Sequence, residues 1–524
     1  MAFPGDSRVV PMRSLLLLAL LAVCLPLSAA EGRRNVLFII SDDLNNYLGC
    51  YGDPRARTPN LDRLAGRGVR FDRAYCAYPL CGPSRNSLLT GLYPNSTGIH
   101  QNALIFRQSI PAQLSLPQAF RLQGYFAARL GKLYHYNVPN SVGTDGHDDP
   151  ASWELEMNPA GVDRMEELDV AFSVTPKQFG GTLSWHPSEK SDEHHTDGML
   201  ARDAEWVLER CARDRSRPFF LAVGFFRPHT PYISPKAPYW GQYDPDQMPL
   251  FPKVGEQPAG VPKAAFLGSK KDQEDLPDDV RRKAVQAYYA SISFMDAQVG
   301  RVISALDRLG LAESTVVVFT SDHGYHMGEH GLYQKMSLFE NAARVPLLVV
   351  APGVAGAGTV VRTPVSHVDL FRTLTELAGI TPPANVQGQS LVPILKDPSA
   401  VGRGWAVTQV IRGGVGRVAA STAASQVTAS KKKNAPKSFF GYSLRTDRWR
   451  YTEWDEGREG RELYDHESDP GELINLADKS EHARTVAALS TQLKEAVKTT
   501  FPADGKTPEV KEVLWSPLIK DAPR

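Results

Sequence analysis

Two runs of apolar residues end in acids. "VLFIISDD" closes on Asp42 and Asp43, and "VVVFTSDHG" carries Asp322 and His323. As neighbouring parallel strands they would bring their carboxyl ends together, the edge at which an open α/β sheet collects its ligands. Three carboxylates side by side repel one another unless a cation neutralises them. Oxygen-rich donors favour a hard cation, calcium or magnesium, and His323 leaves room for a transition metal. The competing reading is that these acids cap the helices that follow, as Asp often does. One such site alone favours the cap; the matched pair favours the metal.

Other polar groups follow expected strands or turns: Lys132 and His135 in "GKLYH", His229 in "FFRPHTPY" and Lys335 in "GEHGLYQKMS". Each alone reads as an ordinary surface residue. Their loops, taken together, would point at the edge where the acids lie. In "PLCGPSRNSLLTG" (79–91) a lone thiol, Cys81, stands between prolines, ahead of Ser84, Arg85 and a short apolar helix.

The elements that would hold these groups alternate along the chain. Apolar runs at 35–40, 218–226, 314–324 and 345–353 read as buried strands. "TPNLDRLAGRG" predicts a helix with Thr58 as N-cap and a stop at Gly66 or Gly68. Residues 280–309 repeat apolar side chains at helical spacing and stop at Gly310. Continuous apolar strands separated by helices imply a large, mostly parallel sheet covered on both faces.

The chain has 524 residues, 42% hydrophobic and 22% charged, with a formal charge of +1. That is an ordinary globular composition, and it speaks against a nucleic-acid binder or a polybasic membrane anchor. Residues 1–30 carry a basic flank, a short apolar run and small residues before a cut, the pattern of a secretory signal peptide. The run is too short to span a bilayer, which takes about 20 apolar residues. After cleavage, no membrane attachment is expected. Cys50, Cys76, Cys81 and Cys211 remain and could form two disulfides in three pairings. Residues 31–412 read as one catalytic α/β domain. Residues 413–438 read as a flexible insert of small, polar and basic residues. Residues 439–524 read as a small α+β unit, with an antiparallel sheet from "FFGYSLRTDRWRYTEW", then a turn and helix start in "ELYDHESDPGELINLA". "NST" at 95–97 is a glycosylation sequon if the host glycosylates.

Residues 79–91 resemble the sulfatase pattern C-x-P-S-R followed by an apolar pair, Thr and Gly, matched by Cys81, Pro83, Ser84, Arg85, Leu88, Leu89, Thr90 and Gly91. "GYFAARLGKLYH" (124–135) resembles the second sulfatase pattern. It departs at Ala127, where Ser or Thr is usual, and at Leu130, where a smaller residue is usual. "SDDL", "PFFLAVGFFRPHTP" and "FTSDHGYHMGEHG" are similar to the branch of the family that acts on 2-O-sulfated iduronate.

The resemblance implies an alkaline phosphatase-like α/β fold and hydrolysis of a sulfate ester, with iduronate 2-sulfate or a related uronate of a sulfated polysaccharide as expected substrate. It implies that a formylglycine-generating enzyme oxidises Cys81 to formylglycine, an aldehyde that hydrates to a geminal diol. One divalent cation, calcium with magnesium as the alternative, would be held by Asp42, Asp43, Asp322, His323 and residue 81. Arg85 would support the ionised hydroxyl, and Lys132, Lys335 and His229 would contact sulfate oxygens. His229 or Lys335 would protonate the departing alcohol, and His135 would deprotonate the second hydroxyl. The alternatives are a phosphonate monoester or phosphodiester hydrolase of the same superfamily, and a non-catalytic binder of sulfated glycans. The expected location is periplasmic or extracellular in a bacterium and lysosomal in an animal.

Overall fold

The computed structural model describes residues 1, 33–166, 172–257, 260–354, 356–413 and 438–511. Apart from Met1, the expected signal peptide lies outside these residues, as do the interior of the 413–438 insert and residues 512–524. In chain order the strands are β1 (Asn35–Ser41), β2 (Val69–Tyr75), β3 (Phe126–Gly131), β4 (Leu155–Met157), β5 (Phe172–Ser173), β6 (Ser184–Ser188), β7 (Phe219–Gly224), β8 (Tyr232–Pro235), β9 (Thr315–Ser321), β10 (Arg344–Val350), β11 (Thr359–Val361), β12 (Val365–Ser366), β13 (Ala406–Arg412), β14 (Phe439–Arg445), β15 (Trp449–Trp454) and β16 (Arg461–Asp465). The helices that matter here are α1 (Pro59–Arg67), α2 (Cys81–Thr90), α3 (Thr196–Arg213), α4 (Asp278–Arg308), α5 (Asp369–Leu377) and α6 (Ala483–Lys498).

The large sheet runs β11-β2-β10-β9-β1-β7-β3-β4, with β12 also paired to β2. β1 lies parallel to both β9 and β7, and β3 parallel to β7 and β4. Only β10 opposes its neighbours, β9 and β2. Alternate residues of β1 feed opposite layers. Leu37 and Ile39 pack with Leu200, Val285 and Ile292 of α3 and α4. Val36, Phe38 and Ile40 pack with Leu88, Leu89 and Phe371 of α2 and α5. A strand covered on both faces has no wet side to alternate with, hence its unbroken apolar sequence. α4 opens with Asp278 and Asp279, which favour the positive end of the helix dipole, and the chain turns away through Gly310 at φ 62°.

A second sheet, β13-β14-β15-β16, is antiparallel throughout. Val407, Leu444 and Leu463 on one face pack against Leu489 and Leu493 of α6. On the other face, Val410, Trp454 and Tyr464 meet Leu332, Leu338 and Phe339, which flank Lys335. The appended sheet therefore buttresses a loop of the main domain. Its edge strand β13 comes from residues ahead of the insert, so the two sides of the insert meet in one ladder.

Several expectations need correcting. "ELYDHESDPGELINLA" starts no helix: it holds β16 and a turn, and α6 begins only at Ala483. The reason is local tethering. Leu476 N donates to Leu463 O at 2.8 Å, and Asn475 Oδ1 accepts from Leu463 N and Ala477 N. Thr58 stands at the N-cap position of α1 but its side chain caps nothing; Asp296 accepts from Asn60 N and Leu61 N instead. α1 ends at Arg67, with Gly68 after it. All four cysteines after residue 30 are unpaired. A small sheet of β5, β6 and β8 was not expected from the sequence.

The sequon is also not what it looks like. Asn95 is 1% exposed. Its Nδ2 donates to Thr500 Oγ1 at 2.8 Å and Tyr442 OH at 3.1 Å, and its Oδ1 accepts from Gln409 Nε2 at 2.9 Å. It ties the main domain to the appended sheet and to the end of α6. Folded protein from a glycosylating host should carry no glycan at Asn95 by peptide mass spectrometry. Asn95→Ala should lose about 1–3 kcal/mol in urea unfolding, because buried partners are left unsatisfied.

Candidate active site

The parallel register pairs Ser41 with Ser321, so the acids after β1 and β9 emerge side by side. Asp43 N donates to Asp322 Oδ1 at 3.1 Å. Neither pair caps a helix: the next helical turns begin at Gly49 and Glu329, preceded by Leu48 and Gly328. Asp43 holds φ at 62°, an uncommon left-handed conformation for a non-glycine residue. Its carbonyl accepts from the buried Tyr288 OH at 2.7 Å, which secures that turn from α4.

Arg85 is the hub. It projects from α2 and is fully buried, with Nε on Asp322 Oδ2 at 3.0 Å and an Nη on Asp42 Oδ1 at 3.0 Å. Its other Nη donates to Lys132 O at 2.6 Å and Leu133 O at 3.1 Å. Lys132 Nζ takes the second Asp42 oxygen at 2.6 Å. Burial alone would raise the Asp42 carboxyl, but Lys132, His229 and Arg85 hold it well below its ordinary value. Lys132 is placed by a close backbone crossing between β3 and β7. Gly131 sits at φ 70°, and a Cβ on it would lie 2.3 Å from Gly224 O. A Cβ on Gly224 would lie 2.0 Å from Lys132 O, so only glycines fit on either side.

Cys81 opens α2 and is buried at the centre of the charges. Its Sγ lies 3.3 Å from His323 Nε2, 3.3 Å from Lys335 Nζ and 3.8 Å from Asp43 Oδ1. Burial pushes the thiol up strongly despite the two lysines, so the unmodified side chain is a protonated, inert thiol. Lys335 Nζ also contacts Asp43 Oδ1. Burial opposes its charge, yet Asp43 holds the ammonium well above its ordinary value. His229 stands 3.6 Å from Asp43 Oδ2, and burial pushes its imidazole down to about 4.

Asp43, Cys81, Asp322 and His323 each offer one ligand atom within 4.8 Å of the others. Asp42 stands apart from that group, with both oxygens on Arg85 and Lys132. Asp43 Oδ2 is buried without a hydrogen-bond partner. The Gly324 carbonyl, 2.8 Å from His323 Nδ1, assigns the proton to that nitrogen. Burial keeps His323 neutral, so Nε2 presents a lone pair to the carboxylates. An orphaned carboxylate oxygen, a second carboxylate and a bare imidazole nitrogen suit a divalent cation.

His135 lies off this cluster. Its Nε2 is 3.1 Å from Asn137 Oδ1 and its buried Nδ1 has no partner. Burial and then Lys132 push it well down, so it is a neutral base. The sequence reading passed over Arg227, two residues before His229 in the same motif. Buried Arg227 donates to His229 O at 2.8 Å, to Pro231 O and to Asp163 Oδ2 at 2.7 Å, fixing the loop that presents His229. An arginine between a buried strand and two prolines was the available signal.

A sequence model of the sulfatase family matches residues 34–380, which include every residue of this site. The chain belongs to the sulfatase family. It is 32% identical to a sulfatase of Formosa agariphila over 89% of this chain and 87% of that one. It is 31% identical to mouse iduronate 2-sulfatase over 88% of this chain and 95% of the relative. A phosphonate monoester hydrolase from Silicibacter pomeroyi shares the fold, with a TM-score of 0.70 at 23% identity, over 92% of this chain and 100% of that one. As a sulfatase, the protein hydrolyses sulfate esters, and the cation-rich pocket around Cys81 suits that anionic group.

Arg85→Met should cost about 3–5 kcal/mol in urea unfolding and abolish sulfate release, since Asp42 and Asp322 would stay buried with too few cations.

Proposed function

We propose that the sulfatase acts on iduronate 2-sulfate, or on a related 2-O-sulfated uronate of a polysaccharide, through formylglycine made from Cys81 by a formylglycine-generating enzyme. What carries the mechanism is the convergence of Lys335 and His323 on Cys81 Sγ at 3.3 Å each, with Arg85 and Lys132 behind. The likeness to mouse iduronate 2-sulfatase over nearly its whole length supports the substrate. Formylglycine supplies, as its hydrate, two hydroxyls on one carbon: one to bond sulfur, the other to expel sulfate once deprotonated. Asp43, Asp322, His323 and residue 81, with Asp42 beside them, would hold a calcium or magnesium ion, which would supply Lewis-acid stabilisation of the sulfate's negative charge.

The chain's own groups do the rest. Lys132 and Lys335 bind sulfate oxygens where negative charge grows. Arg85 favours the ionised nucleophile by holding the surrounding carboxylates. The Thr230 carbonyl faces His229 Nδ1 and assigns it a proton, so Nε2 is the atom that faces the pocket. An arriving sulfate raises the affinity of His229 for a second proton, and His229 gives it to the leaving alcohol more readily than Lys335 does. Neutral His135 accepts the proton of the second hydroxyl. Residues 1–30 direct export to the periplasm, exterior or lysosome. Among the described residues no helix is long and apolar enough to cross a membrane.

Mass spectrometry of active enzyme should find the residue-81 peptide lighter than its cysteine form; an unmodified thiol at full activity would refute the scheme. Cys81→Ser should release at most one equivalent of the alcohol per enzyme and no free sulfate, the sulfuryl group staying on the serine, and steady turnover would contradict the need for two hydroxyls. Chelation should lower both Tm and activity. Calcium or magnesium should restore them, while Asp43→Asn should lose the Tm response.

A further inference from the structure

One cation beside the site is not used by this chemistry. Lys270 is half-buried on the segment that precedes α4. Its Nζ donates to the Gly181 carbonyl, and no carboxylate lies within ion-pair distance among the described residues. Burial and then the Lys335 ammonium push Lys270 down to about 8, against the pull of Asp272 on its own segment and Asp43 across the pocket.

Three contacts fix where this amine stands. Gln334 Nε2 donates to the Gly268 carbonyl, so the segment before Lys270 lies along the segment that carries Lys335. Thr182 and Thr175 both donate to Asp272 Oδ2, at 2.6 and 2.7 Å, which draws in the loop that holds Gly181. That loop in turn meets the His229 loop, because Thr230 Oγ1 donates to Thr182 O at 3.0 Å. It also meets the chain after His135: Gly180 packs so closely on Val138 that a Cβ would lie 1.9 Å from the Val138 carbonyl. The loops bearing His135, His229 and Lys335 therefore surround Lys270.

A desolvated ammonium with only a carbonyl partner is costly to keep unless an anion completes it. The sulfate under attack already has Lys132, Lys335 and His229. Resting on the uronate reading above, we propose that Lys270 is a specificity-determining residue that receives the carboxylate of the sugar bearing the scissile sulfate. The pocket thereby reads two anions on one ring, which a neutral sugar sulfate cannot satisfy.

The test compares kcat/KM on 4-methylumbelliferyl α-L-iduronide 2-sulfate with kcat/KM on its carboxyl-reduced counterpart. Wild type should prefer the acid. In Lys270→Met that preference should fall by about tenfold to a hundredfold, mostly through KM, and Lys270→Arg should recover much of it. The wild type gives a second readout without a variant. Lys270 binds a carboxylate only while protonated, so KM for the acid should rise as pH climbs through about 8, more steeply than for the reduced sugar. Lys270→Arg, which stays charged, should flatten that rise. A wild type that cleaves the two sugars equally, or only the reduced one, overturns the uronate reading and the carboxylate role with it. A wild type that prefers the acid, with Lys270→Met losing the same factor on both or with no difference between their pH profiles, overturns the assignment to Lys270 alone.

Discussion

The bridge from Arg85 to Asp42 and Asp322 is the contact on which the site depends. It joins three elements that are distant in sequence: the ends of β1 and β9 and the first turns of α2. Acids at the ends of adjacent parallel strands would repel one another in a dry interior. A guanidinium, planar and always charged, can bond two of them at once and still reach the carbonyls of Lys132 and Leu133. A lysine at that position could not make these bonds in one geometry. Because α2 carries both Arg85 and Cys81, the same bridge sets residue 81 against the remaining donors.

The pocket divides its charges into two groups. Asp42 is spent on Arg85 and Lys132, one carboxylate shared by two cations and so held in position. Asp43, Asp322 and His323 face residue 81, and Asp43 Oδ2 is buried there with no hydrogen-bond partner among the described residues. Around them, the loops of Lys335 and His229 are each pinned from outside. The appended sheet packs Trp454 and Tyr464 beside the Lys335 loop, and Arg227 holds the His229 loop through two of its carbonyls. Catalytic loops are usually mobile because little packs against them, whereas these are buttressed on their far side. That explains why a small second sheet is built onto a catalytic domain at all.

Much of this was legible in the sequence, for identifiable reasons. Strands buried on both faces leave unbroken apolar runs, so β1, β7, β9 and β10 were visible, and their terminal acids could be placed at a common edge. α4 was visible because its apolar repeat is long. The failures share a cause: the deciding contacts are remote in sequence. Nothing near Asn95 announces Gln409 and Thr500, and nothing near Asp42 reveals that Lys132 takes its second oxygen. "GELINLA" has helical composition, but Asn475 and Leu476 are hydrogen-bonded back to β16. The two-residue strand β5 is too short to leave a pattern.

The pairing of Arg412 with Phe439 across the β13–β14 ladder has an evolutionary reading. The chain departs from the catalytic body and returns to it at the same rung, so whatever is threaded between those residues adds no displacement to either strand. Lengthening such an excursion raises the closure entropy only logarithmically. New recognition elements could be grafted there by insertion, near the loop that bears Lys335, while the sulfate-cleaving apparatus stays untouched.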